Sequence, residues 1–279
     1  FQVNKITAMP VCGKCKPGSG ELPCAPACFR VQGRRDQPFC MVVMNLDSTP
    51  EFPIVVLISG RGSNLQSIID AVAAGSLPVT ICAVISNRPD ADGLQRARRA
   101  GIEIRVLDQR GFDDRESYDT ALQKLIDTCK PRLVVLAGYM RILSPAFVAH
   151  YNGRLINIHP SLLPAFQGLH THARALESGV RKHGASVHYV TEELDGGPPF
   201  LQVEVPVLEN DTEESLAARV LEQEHRMYPV AIRWIAEGRV SMDAEGHVVL
   251  DRLLLDSPVR FQADTGQGNE SKGMKHVEI

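Results

Sequence analysis

What this chain lacks narrows its chemistry first. None of its 279 residues fall in a run of the roughly 18 apolar residues that cross a bilayer, so no membrane partner is expected. Its N-terminus has no basic region followed by an apolar stretch, so no secretory signal is read there. Thirty Lys and Arg stand against 33 Asp and Glu, a net charge of −3. Nothing in that balance points to a nucleic-acid backbone or an anionic membrane surface. No His-Glu-x-x-His run offers a metal pair, no Gly-Lys-Ser/Thr marks a P-loop, and no internal repeat is present. Beyond residue 40 cysteine is scarce. Only Cys82 and Cys129 remain, both in apolar patterns that predict buried thiols in a cytoplasmic protein.

What is present divides the chain near residue 50. Residues 1–53 are rich in Pro, Gly and Cys and show neither helical nor strand period. They read as an irregular extension. Cys12-x-x-Cys15 and Cys24-x-x-x-Cys28 keep a second reading open, a zinc-binding interaction module. From Ile54 the pattern is regular. Ile54 to Ser59 is a wholly apolar strand, of the kind covered on both faces. Leu65, Ile68, Ile69 and Val72 then recur at helical spacing. Strands are predicted at 79–86, 102–107, 133–137 and 155–158, with helices at 92–100 and 118–129 and a short one opened by Ser144-Pro145. This alternation predicts an α/β fold: a doubly wound, mostly parallel sheet with helices on both faces. Strands at 185–190 and 200–207 break the alternation as a hairpin-like pair. Asp211 to Glu214 has capping-box spacing and opens a long helix, interrupted at Pro229 and ended at Gly238. The domain is expected to span 54–251. Residues 252–279 read as a tail, disordered from about 263.

Two segments carry the chemistry. Asn157-Ile158-His159-Pro160 leaves a buried strand, where ligands of open parallel sheets bind. Asn157 and His159 are two apart, so they share one strand face. Asp195-Gly196-Gly197-Pro198 adds a carboxylate. An amide, an imidazole and a carboxylate can stabilise an oxyanion and move a proton. A structural Asn–His pair and a turn aspartate explain the same residues. Gly60-Arg61-Gly62-Ser63-Asn64 joins a strand to a helix N-terminus and can accept an anion. It also reads as a tight turn and a cap. His170 and His172 are spaced i, i+2 on a helix, which does not make a metal pair.

From about Ile54 to Asp251 the chain resembles the phosphoribosylglycinamide formyltransferase family. The resemblance rests on Ile58 to Leu65, Leu136 to Leu143, Asn157 to Pro164, Gly168-Leu169-His170, Glu193 to Pro198, and Gln223-Glu224-His225. It implies a formyltransferase-type Rossmann-like fold and transfer of formyl from 10-formyltetrahydrofolate to the amine of glycinamide ribonucleotide in purine synthesis, in the cytoplasm, without metal. Asn157, His159 and Asp195 are the implied catalytic trio, with Asp195 favouring protonated His159. Gly62, Ser63, Asn64, Leu221, Glu222, Gln223 and Glu224 are the implied substrate-binding residues. Arg115, Met140, Arg141, Ile142, Leu143, Asn157, Thr191, Glu192, Glu193, Leu194 and Asp195 are implied to line the folate site. Arg61 and Leu221 depart from the family pattern, which prompts two readings: Arg61 supplies phosphate attraction that Leu221 cannot, or Arg61 is exposed and points to solvent. Phe1 is not a start residue and Met44 lies near the family's usual beginning. The first 43 residues therefore read as an extension, a fusion remnant or upstream read-through.

The same trio resembles two sister activities, formyltetrahydrofolate hydrolase and methionyl-tRNA formyltransferase. The first carries a preceding regulatory domain, and the second a C-terminal barrel and basic surfaces. The short irregular start, the acidic balance and Gly62-Ser63-Asn64 favour the glycinamide substrate.

Overall fold

The structure, a computed structural model, describes residues 52–262. The expected extension, its four candidate zinc ligands and the chain beyond 262 lie outside the described residues. Eight strands form the main sheet. In chain order they begin β1 (Pro53–Ile58), β2 (Thr80–Ser86), β3 (Ile104–Val106), β4 (Leu133–Leu136) and β5 (Leu155–His159). These five are mutually parallel. β6 (Lys182–Tyr189) runs antiparallel to β5, and β7 (Pro199–Pro206) antiparallel to β6. With β11 (Val259–Arg260) at one edge, the order across the sheet is β11-β7-β6-β5-β4-β1-β2-β3.

Strand periodicity sorts the core into two layers. Ile54, Val56 and Ile58 of β1 face one side, with Leu65, Ile68 and Ile69 of α1 (Ser63–Ala73), Leu94 and Ala97 of α2 (Gly93–Arg99), and Tyr228 and Ile232 of α6 (Glu213–Ala236). Val55 and Leu57 face the other, with Tyr118, Leu122 and Ile126 of α3 (Arg115–Asp127) and Phe147 and Val148 of α4 (Pro145–His150). Helices therefore cover both faces, which is the doubly wound architecture the alternation predicts. A short α5 (Thr171–Glu177) adds Ala175 to the first layer.

Four local expectations are corrected. Pro229 lies inside α6, which continues unbroken over 24 residues. Proline removes one helical hydrogen bond, but Met227, Tyr228, Ala231 and Ile232 are fully buried on either side, and that packing holds the helix axis. The cap of α6 is Thr212, not Asp211. Ser215 N donates to Thr212 Oγ1 at 3.2 Å and Thr212 N to Ser215 Oγ at 2.9 Å. Asp211 instead accepts from the Arg219 guanidinium at 2.7 Å. The chain past Asp251 is structured as far as it is described. β8 (Val240–Met242), β9 (Val248–Leu250) and β10 (Leu253–Leu254) form a small antiparallel sheet, and β11 (Val259–Arg260) pairs parallel with β7. Cys82 and Cys129 are half-buried rather than buried.

Candidate active site

β5 divides its side chains between the two layers. Ile156 and Ile158 enter the layer beneath α6, and Leu155 enters the other. Asn157 and His159 share the face of Leu155. Across the antiparallel junction Asn157 lies opposite His188, and His159 opposite Ser186. The connection after β6 folds back over this face, and that return brings Asp195 to the histidines.

His159 is 6% exposed. Its Nδ1 lies 3.4 Å from Asp195 Oδ2, and its Nε2 lies 3.0 Å from the Phe166 carbonyl. Both partners are acceptors, so the surroundings satisfy an imidazolium on both nitrogens. Asp195 is anchored by the loop after β5. Its Oδ2 accepts from Gly168 N at 2.9 Å, and its carbonyl from Gln167 Nε2 at 3.2 Å. It adopts φ 50, a left-handed conformation that aspartate tolerates. It is thus a turn residue and a charge partner at once. Gly197 follows because a Cβ there would collide with the Tyr189 carbonyl.

His188 is the residue that the sequence reading passed over. Its Nδ1 lies 2.8 Å from the Tyr189 carbonyl, which can only accept, so Nδ1 carries the hydrogen. Burial pushes its pKa down to about 4, against the Tyr189 carbonyl and Asp195, which pull the other way. Neutral His188 then presents a lone pair at Nε2, and Asn157 Nδ2 donates to it at 3.3 Å. This fixes which end of the Asn157 amide is NH₂ and leaves its second hydrogen free. A signal existed in the sequence: Ser186 and His188 are polar residues two apart in an apolar strand, the same pattern as Asn157 and His159.

The predicted anion loop lies at the end of β1, two strands from β5. Gly62 has φ 68 and packs against the start of α2. A Cβ on it would approach Gly93 Cα to 2.6 Å. Gly93 N donates to the Gly60 carbonyl at 3.0 Å, and Arg96 Nε to the Arg61 carbonyl at 2.9 Å. The Arg61 side chain is exposed, as a solvent-facing reading requires. Asn64 Nδ2 donates to Glu224 Oε2 at 2.7 Å across 160 residues of sequence. Among the described residues Asn64 Oδ1 is buried without a partner. Burial pushes the Glu224 carboxyl up to about 7, with the Asn64 hydrogen bond opposing it.

Of the α6 residues expected beside the anion loop, Glu224 is tied to it by the Asn64 hydrogen bond. Leu221 and Gln223 are half-buried, and Glu222 is exposed. Residue 222 lies about 200° around the helix from 224. Met140, Ile142 and Leu194 are large apolar side chains more than half exposed, and Leu143 is buried. Arg141 lies over the Tyr118 ring at 4.0 Å. Thr191 is half-buried, while Glu192 and Glu193 are exposed. Arg115 stands exposed at the first position of α3, apart from the hydrogen bonds of the trio.

The formyl transferase family profile matches residues 53–232. Phosphoribosylglycinamide formyltransferase of Escherichia coli is 59% identical over 189 residues, 68% of this chain and 89% of its own length. That of Haemophilus influenzae is 47% identical over the same span. Among solved structures, the enzyme from Coxiella burnetii aligns with a TM-score of 0.73 at 49% identity, covering 76% of this chain and all of its own. With the sheet, the β5–β6 face and these matches in agreement, the chain belongs to the formyl transferase family.

Proposed function

We propose that the protein transfers the formyl group of 10-formyltetrahydrofolate to the amine of 5-phosphoribosylglycinamide, in the cytoplasm. The observation that carries this reading is the placement of His159 between Asp195 and the Phe166 carbonyl, beside an Asn157 amide whose orientation His188 fixes. Exposed apolar Met140, Ile142 and Leu194 and the stacked Arg141 suit a flat heteroaromatic co-substrate. The glycine loop at the α1 N-terminus suits a phosphate, and Glu224 with the open Asn64 Oδ1 suits ribose hydroxyls. Small-molecule substrates fill both, and neither nucleic acid nor membrane is required.

The substrate amine attacks the formyl carbon, and the carbonyl oxygen gains negative charge. The second hydrogen of Asn157 Nδ2 and the His159 imidazole are the donors for that oxygen. When the intermediate collapses, the bond from carbon to the folate nitrogen breaks and His159 supplies the proton that nitrogen takes up. Asp195 orients His159 and receives the amine proton through water. The Phe166 carbonyl is the resting partner whose place the reacting groups take. No assigned residue is asked to hold a metal.

The purified full chain should form formylglycinamide ribonucleotide and tetrahydrofolate from the two substrates, with the metal chelator EDTA present and no ATP. Folate hydrolysis that outpaces transfer would replace this reading with the hydrolase one.

A further inference from the structure

Four strand ends on one edge of the sheet are tied by one hydrogen-bond circuit. Ser59 follows β1, Asn87 follows β2, Gln109 lies past β3, and Met140 and Arg141 lie past β4. Met140 N donates to Ser59 Oγ at 2.8 Å, and Ser59 Oγ donates to Asn87 Oδ1 at 2.6 Å. Asn87 Nδ2 donates to Gln109 Oε1 at 2.8 Å, and Arg141 Nη1 donates to that same oxygen at 3.0 Å. The circuit begins and ends on adjacent residues of one loop.

The Ser59 hydroxyl accepts once and donates once. Asn87 uses both ends of its amide. The Gln109 oxygen receives two hydrogens, one of them from a charged group. Ser59 and Asn87 are 4% and 2% exposed, so the bond between them has no water to replace it, while Gln109 and Arg141 are half-buried. The loop needs such tethers. Met140 and Ile142 are exposed and give it no packing of their own, and only Leu143 is buried. Arg141 is further held flat on Tyr118, whose hydroxyl meets Tyr139 at 3.0 Å and the Leu107 carbonyl at 3.2 Å.

We propose that Asn87 and Gln109 are positioning residues for folate recognition, setting the shape of the Met140–Leu143 loop through Ser59 and Arg141. The proposal rests on the formyl-folate reading above and deepens it. Neither side chain has to touch ligand. A loop displaced by a fraction of an ångström would meet the co-substrate poorly while the phosphate loop stayed in place.

The test is steady-state kinetics on the full chain with each substrate varied in turn. Gln109→Ala removes the shared acceptor and should raise the KM for 10-formyltetrahydrofolate about tenfold, the effect of one lost charge-assisted hydrogen bond. The KM for glycinamide ribonucleotide should stay at its wild-type value. Gln109→Glu keeps an oxygen for both donors and should restore the folate KM. Asn87→Asp keeps the acceptor for Ser59 but loses the donor to Gln109, and should raise the folate KM as Gln109→Ala does. An unmoved folate KM in Gln109→Ala, an equal rise in both KM values, or a Gln109→Glu protein as impaired as Gln109→Ala would each overturn the proposal. A wild-type protein that transfers no formyl group would instead remove the functional reading on which it stands.

Discussion

At the glycine-loop end of the site the fit is made by backbone. Gly62 and Gly93 meet without side chains, and a Cβ on Gly93 would come within 2.6 Å of Ile58 Cδ1 and 3.2 Å of Gly62 Cα. One carboxyl, Glu224, lies buried behind that contact with a single side-chain hydrogen bond among the described residues. At the β5–β6 end the fit is made by side chains that hold one another: Asp195 by Gly168, His159 by Asp195 and Phe166, and Asn157 by His188. The first end is sensitive to volume and to desolvation, the second to charge and to which atom donates. Substitutions that preserve shape therefore separate the two.

The largest effect is expected where charge is removed at constant shape. Asp195→Asn replaces the carboxylate 3.4 Å from His159 Nδ1 with a neutral amide. Turnover should fall roughly 10²–10³-fold, as on losing an oxyanion donor. The KM for glycinamide ribonucleotide should hardly change, because the glycine loop is untouched. His159→Ala should lose at least as much, and the double variant little more, since the two act as one unit. Full turnover in Asp195→Asn would leave Asp195 only its turn.

A smaller effect belongs to Glu224, and it is one of stability. Burial pushes this carboxyl from an ordinary 4.5 up to about 7. The unfolded chain releases the proton near 4.5 and the folded chain keeps it to about 7. Between those values the folded state binds more protons, so stability falls as pH rises. The total is roughly 3 kcal/mol, and it is constant above 7. Glu224→Gln cannot ionise and still offers Asn64 an oxygen. In urea unfolding at a series of pH values, the difference between variant and wild type should grow from pH 5 to 7 and then level off. A pH-independent difference would mean that Glu224 is ionised throughout.

These two regions were unequally legible in the sequence. Asn157 and His159 stand two apart at the end of an apolar run, and strand geometry alone puts them on one face. The alternation of runs and helical stripes likewise gave the doubly wound sheet. His188 was missed because its role depends on β6 pairing antiparallel to β5 in one register, and registry between strands 31 residues apart is not written in either strand. Pro229 was read as a break because local rules see the lost hydrogen bond and not the buried neighbours. β11 was absorbed into a tail because two residues at a sheet edge carry no period.

The smallest effect sharpens the catalytic end of the comparison. His188 touches no reacting atom in the proposed mechanism. It accepts one hydrogen from Asn157 and donates its own to the Tyr189 carbonyl. His188→Leu keeps the volume and removes both bonds. A neutral hydrogen bond is worth about 1 kcal/mol, so turnover should fall about fivefold as the Asn157 amide loses its fixed orientation. Both KM values should stay near wild type. The variant should also differ in acid. Burial pushes the wild-type pKa down to about 4, below the ordinary 6.5 of the unfolded chain. As pH falls from 6.5 to about 4 the unfolded state takes up a proton that folded His188 refuses, so wild type loses stability there. His188→Leu lacks that group, and its stability relative to wild type should improve through this window. Turnover within error of wild type, with the acid difference still present, would show that Asn157 is oriented without His188 and that the histidine is a buried structural residue.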